Sequence, residues 1–190
     1  MLRLDEAEHK YYDGDIELPS VTTITRFCNY DSRTAAGSNP YYRERGTLIH
    51  ELCADYDFTG EFPTGTGLDG YLKAYADFKR DYRIKDWLFV ECMAGSAHSG
   101  FAGTIDRIGY IDGHLAILDI KSSSKLNLVA LAAQLTGYLL LYDDLPIMDE
   151  ITKLYGLQLQ KKGAYRLVEI EPDCELFEAC QILHKKGLKK

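Results

Sequence analysis

The stretch from Gly103 to Ser122 constrains what this chain can fold into more than any other. Two runs rich in aliphatic residues, Gly103 to Ile111 and His114 to Ser122, flank the dipeptide Asp112-Gly113. Asp-Gly between two such runs is a strong signal for a two-residue hairpin, because both central residues of the favoured turn need positive φ. A two-residue turn also fixes the register: Ile111 faces His114, Ile108 faces Ile117, and Asp106 faces Asp119. Strand alternation then brings Lys121 to the face of Asp119, across from Thr104.

Directly opposed carboxylates, with Cβ atoms roughly 4.5–5.5 Å apart, destabilise a sheet unless something neutralises them. One arrangement that avoids this is a solvated strand face on which Lys121 screens both aspartates. Against it stands the run Leu115-Ala-Ile-Leu-Asp-Ile-Lys121, which is apolar enough to be an interior strand. Charge is rarely buried there without a partner. The pair therefore calls for a bound cation or a shared proton. Its hard oxygen ligands suit Mg²⁺ or Mn²⁺ better than zinc.

Around this hairpin the pattern alternates helices and strands. Residues 10–18 read as a small hairpin turning at Asp13-Gly14, and Ser20 caps a short helix. Residues 31–40 are turn-rich and read as a mobile loop. Helical periods run from Tyr41 to Tyr56 and near 70–83. Trp87 to Met93 is a strand, Leu128 to Tyr142 an apolar and hence buried helix, and 151–160 with 164–170 a second hairpin. A last helix, 173–187, is capped by Asp173. This predicts an α/β fold, a central mixed β-sheet flanked by helices, as one domain over 1–190 with its core at about 41–170 and an N-terminal hairpin and helix at 10–30.

The net charge of −7 argues against a module that binds nucleic acid through charge alone, and fits carboxylates that hold cations. Basic residues cluster at Arg43/Arg45, at Lys79, Arg80, Arg83 and Lys85, and at the C-terminus; such clusters are usually solvated surface. The five cysteines are scattered and read as reduced, mostly core thiols rather than a disulfide or zinc framework. The N-terminus turns acidic too soon for a secretion signal, and no run approaches the roughly 20 apolar residues of a membrane span. A cytoplasmic protein without a membrane partner is expected.

Gly103-Thr-Ile-Asp106 followed by Asp119-Ile-Lys121 resembles the core motif of the PD-(D/E)xK nuclease superfamily, in particular its RecB-like phage and prophage exonuclease group. Gly46-Thr-Leu-Ile-His50, Glu91, Gln134 with Tyr138, and the Pro19-Ser-Val-Thr-Thr-Ile segment agree with that group, so the resemblance spans about residues 11–142. It implies a restriction-endonuclease-like core and a Mg²⁺- or Mn²⁺-dependent deoxyribonuclease. The implied metal ligands are His50, Asp106, Asp119 and the carbonyl of Ile120, with Lys121 assisting the attacking water. Glu91 joins the catalytic set, and Gln134, Tyr138 and Ser122 contact DNA. Ser122-Ser123 stands where the group often has threonine, which keeps a hydroxyl. Some relatives hold an iron–sulfur cluster with four cysteines, but Cys174 and Cys180 are the only C-terminal pair here, so no cluster is expected. No phosphate-binding helicase motif is present. The implied partner is DNA, with a phage recombinase or single-strand-binding protein as a further candidate; an endonuclease, a subunit of a larger complex and a non-catalytic DNA-end-binding protein are the alternatives. Oligomeric state, strand polarity and strand preference are not legible.

Overall fold

The computed structural model describes residues 1–5, 8, 10–28, 40–145 and 149–187. Its centre is a five-stranded sheet of β4 (Phe89–Ser96), β5 (Phe101–Ile111), β6 (His114–Lys121), β7 (Lys153–Leu159) and β8 (Tyr165–Glu169), in that spatial order. Only β6 and β7 pair in parallel. Parallel neighbours need a crossover, and α4 (Leu128–Tyr142) supplies it. A separate small sheet holds β1 (Leu2–Asp5), β2 (Lys10–Asp13) and β3 (Ile16–Leu18). The expected mixed sheet flanked by helices is what the chain forms. β1 was not legible in the sequence, and the residues read as a mobile loop, 31–40, lie outside the described residues except for Pro40.

Asp112 and Gly113 have φ of 50° and 80°, and the β5–β6 ladder runs from Ile111↔His114 to Arg107↔Leu118, as the turn dictates. Every residue from Leu115 to Ile120 is buried, which makes β6 an interior strand. Its side chains alternate between two cores. Leu115 and Ile117 pack with α1 (Val21–Ile24), α4 and α5 (Cys174–Lys185). Ala116, Leu118 and Ile120 pack under α2 (Pro40–Thr59) and α3 (Asp69–Asp81). Ser20 caps α1 by accepting from the Thr23 amide, and Asp173 caps α5 through Leu176.

Two close approaches place α4 over the sheet. A Cβ on Gly156 would stand 2.3 Å from Leu131 Cδ2, and one on Gly103 would stand 2.9 Å from Tyr138 Cε1. Leu131, Gln134 and Tyr138 share one face of the helix, three and four residues apart. Seating Leu131 on the bare backbone of β7 therefore brings Gln134 down beside Asp119, the neighbour of Gly156 in the ladder.

Candidate metal centre

The ladder between β5 and β6 ends at Arg107↔Leu118, one step short of the predicted Asp106–Asp119 pair. The Ile120 amide does not enter that ladder; it donates to Asp106 Oδ2 at 2.6 Å. Asp106 therefore plugs the point where the strands part, and the two aspartates turn to different partners. The expected Thr104–Lys121 pair likewise falls beyond the end of that ladder. On its other edge Thr104 pairs with Met93 of β4, and its hydroxyl meets Tyr11 Oη at 2.8 Å. On the far edge of β6, Lys121 pairs with Gln158 of β7.

The first half of the site is built on Asp106. Ile49, Leu52 and Cys53 bury one face of α2, which leaves His50 at its flank over the end of β6. His50 Nε2 lies 3.0 Å from the Ile120 carbonyl, so that nitrogen carries a proton and Nδ1 faces the carboxylates. Nδ1 stands 3.5 Å from Asp106 Oδ2 and 3.9 Å from Glu91 Oε1. Glu91 lies opposite Asp106 on β4, between the pairs Val90↔Arg107 and Cys92↔Ile105. It has a φ of 48°, a left-handed conformation that costs a non-glycine residue on the order of 1 kcal/mol. Among the described residues, His50, Glu91 and Asp106 form a group whose ligand atoms lie within 4.8 Å of one another. Ligands at about 2.1 Å from one ion can be up to roughly 4.2 Å apart, so a small contraction would close them on a divalent cation.

The second half is built on Asp119. Lys121 Nζ stands 2.6 Å from Asp119 Oδ2 and donates to Gln134 Oε1 at 3.1 Å. Gln134 Nε2 in turn contacts Asp119 Oδ1 and Tyr138 Oη, each at 2.9 Å. Asp119 is 1% exposed, and the Lys121 ammonium is the partner of its buried Oδ2. Ser122 offers its carbonyl to Arg45 Nη2 at 3.2 Å.

The electrostatics follow from crowding. Burial alone would lower His50, but Asp106 and Glu91 outweigh it and raise it to about 9. Burial raises Glu91 to about 7, helped by the charge on Asp106. Burial likewise raises Asp119 to about 6 against the pull of Lys121. Asp106 goes the other way: burial would raise it, yet His50, Lys121 and the Ile120 amide hold it below the usual carboxylate range. A site that crowds a histidine nitrogen and two carboxylates within 4.8 Å of one another fits a divalent cation, with His50, Glu91 and Asp106 as the residues that could hold it. The Ile120 carbonyl, implied as a ligand, is here engaged by His50.

Sequence reading missed the support beneath this site. Arg107 is fully buried, and its Nε donates to Asp57 Oδ2 at 2.6 Å while Nη1 donates to Glu91 Oε1 at 2.9 Å. Asp57 also accepts from Lys79 at 2.5 Å, Tyr75 at 2.7 Å and Trp87 at 3.2 Å. Arg107 had a signal, since it is a charge inside the apolar run that also held Asp106. Asp57 had none. Lys79, read with a surface cluster, is buried against Asp57 because α3 turns that face toward the sheet. Of the cysteines only Cys53 and Cys180 are buried, fewer than expected, and Cys28 Sγ lies 3.3 Å from Cys180 Sγ.

No protein-family model and no curated protein matches this sequence. Solved structures are similar to it. The crystal structure of SSO0001 is 15% identical, covers 92% of this chain and 77% of that one, and gives a TM-score of 0.46. A phage-related exonuclease from Haemophilus somnus 129PT is 11% identical, covers 90% and 94%, and gives 0.40. Neither likeness bears on the chemistry, which rests on the residues above. No described helix is long and apolar enough to cross a membrane.

Proposed function

We propose that this chain is a divalent-metal-dependent deoxyribonuclease, an exonuclease of the PD-(D/E)xK type that acts on phage or prophage DNA in recombination or repair. One observation carries the reading: the ligand atoms of His50, Glu91 and Asp106 converge within 4.8 Å of one another, beside a lysine held by a buried aspartate. A non-catalytic DNA-binding protein has no use for such an arrangement, because opposed buried carboxylates repel the phosphate backbone unless cations reverse their field.

A bound Mg²⁺ or Mn²⁺ would lower the pKa of a water and stabilise charge on phosphoryl oxygens. The chain's own residues do the rest. His50 offers Nδ1 in a tautomer fixed by the Ile120 carbonyl. Asp106 is anchored by the Ile120 amide, so its carboxylate is aimed without further ordering. Lys121 is held by Asp119 and Gln134, which places one ammonium at the edge of the acidic cluster. From there it orients the attacking water or neutralises developing charge. Gln134 and Tyr138 brace that lysine, and through it they act on the backbone of the substrate. Asp119 adds a further carboxylate within the field of Asp106.

The test is hydrolysis of end-labelled linear DNA with Mg²⁺, with Mn²⁺ or with chelator, by wild type and Lys121→Ala. Products that depend on the ion and are lost in Lys121→Ala are expected. Equal degradation by the two proteins, or degradation undiminished by chelator, would sink the reading. Cleavage of closed circular DNA at the same rate would replace exonuclease by endonuclease. Addition of a recombinase or a single-strand-binding protein tests the partner proposal, with a rise in rate expected.

A further inference from the structure

The buried charges beneath the site do not balance among themselves. Arg107 and Lys79 bring two cations to one carboxylate, Asp57, all three at least nine-tenths buried. Glu91, at 2.9 Å from Arg107 Nη1, is the second carboxylate that the guanidinium contacts. Arg107 Nη1 also donates to the Asp106 carbonyl at 2.5 Å. One guanidinium nitrogen thus ties Glu91 to the backbone of Asp106, across the β4–β5 pair. Glu91 has a second constraint, its left-handed φ of 48° within a strand. Strain of that kind persists only where surrounding contacts over-determine the conformation.

We propose that Arg107 is a positioning residue for the metal centre: anchored by Asp57, it fixes the Glu91 carboxylate at the place where it can join His50 and Asp106 on one cation. This rests on the metal-centre reading above. A guanidinium suits the task because its rigid fork holds two carboxylates and a carbonyl at once, which a single ammonium cannot. Arg107 touches neither ion nor substrate; it acts through Glu91.

The experiment is Mn²⁺ binding to the full chain by calorimetry and by the electron paramagnetic resonance of free Mn²⁺. Wild type, Arg107→Met, Glu91→Gln and the double variant are compared, with circular dichroism as the check on folding. Loss of a group that orients a metal ligand typically weakens binding about 10–100-fold. Arg107→Met is expected to fall in that range and Glu91→Gln to match it. The double variant should bind no more weakly than Glu91→Gln alone, because the two changes remove one and the same contribution. Wild-type affinity in folded Arg107→Met overturns the inference, as do losses that multiply in the double variant. Should Arg107→Met fail to fold, Arg107→Lys keeps the charge opposite Asp57 but loses the fork. It is expected to bind roughly tenfold more weakly, and unchanged affinity there overturns the inference equally. Absence of Mn²⁺ binding by wild type overturns the metal-centre reading itself, an outcome distinct from binding that ignores Arg107.

Discussion

Replacing Asp57 by alanine removes the acceptor on which four donors converge, three of them from buried residues and one from half-buried Trp87. Lys79 Nζ, Arg107 Nε, Tyr75 Oη and Trp87 Nε1 all point at its two oxygens, at 2.5, 2.6, 2.7 and 3.2 Å. The Asp57 side chain is 3% exposed, that of Lys79 8% and that of Arg107 0%, so water cannot step in without local opening. Breaking a buried pair by deleting one partner leaves an uncompensated charge and costs about 3–5 kcal/mol. Here two cations lose their shared anion, which places Asp57→Ala in the upper part of that range. For a domain of this size each kcal/mol lowers Tm by roughly 2–4 °C, so a loss of about 4–5 kcal/mol corresponds to a fall of roughly 8–20 °C. Urea denaturation with an unchanged m-value, run beside thermal melts, measures it. Asp77→Ala is the control: Asp77 pairs with Lys73 and Arg80 on the exposed face of α3, and its loss should leave Tm unmoved. A change in Asp57→Ala below about 1 kcal/mol would refute the claim that Asp57 compensates the buried charges of Lys79 and Arg107.

Because carboxylates raise His50 from its ordinary 6.5 to about 9, a metal ion must displace its proton at neutral pH. Calorimetry in buffers of different ionisation enthalpy should report release of about one proton per ion at pH 7.5, with affinity rising toward pH 9; buffer-independent heats would contradict it. In the metal-free protein the sign reverses. The folded value lies above the unfolded one, so the stabilisation from His50 is full below about 6.5 and is lost as pH rises through about 9. Urea titrations in chelator at pH 6 and 9.5 should show lower stability at the higher pH. Gly70 near the start of α3 has its missing Cβ position 1.8 Å from the Lys161 carbonyl oxygen. Gly70→Ala must push α3 off the β7–β8 turn, and a loss of about 1–3 kcal/mol in chemical denaturation is expected; wild-type stability would show that the contact is loose.

Much of the fold was legible because local chemistry dictates it. Asp112-Gly113 set the turn and the register next to it, and the apolar run of α4 set the bounds of the helix, although Leu128, Val129 and Leu140 are exposed. The candidate site was legible as a list of side chains but not as their pairing. Register arithmetic assumes that a ladder continues, whereas here β5 and β6 part after Arg107↔Leu118 so that Asp106 can take the Ile120 amide. Nothing in a one-dimensional pattern announces that exchange of a backbone acceptor for a side-chain one. The same limit applies to Glu91, whose positive φ in mid-strand has no glycine to signal it. Lys79 and Asp57 are charged residues on amphipathic helices, and which flank dips into the core depends on how α2 and α3 pack. His50, Gln134 and Tyr138 were found by motif, and packing explains their place: Leu131 against Gly156 lowers α4, and Ile49 with Cys53 lowers α2.

The metal centre is tested most directly by growing crystals with Mn²⁺ and collecting anomalous data. A peak bounded by His50 Nδ1, Glu91 and Asp106, with ligand distances near 2.2 Å, is the expected result. A fully ordered site without a peak at millimolar Mn²⁺, or with the ion held elsewhere, would contradict it.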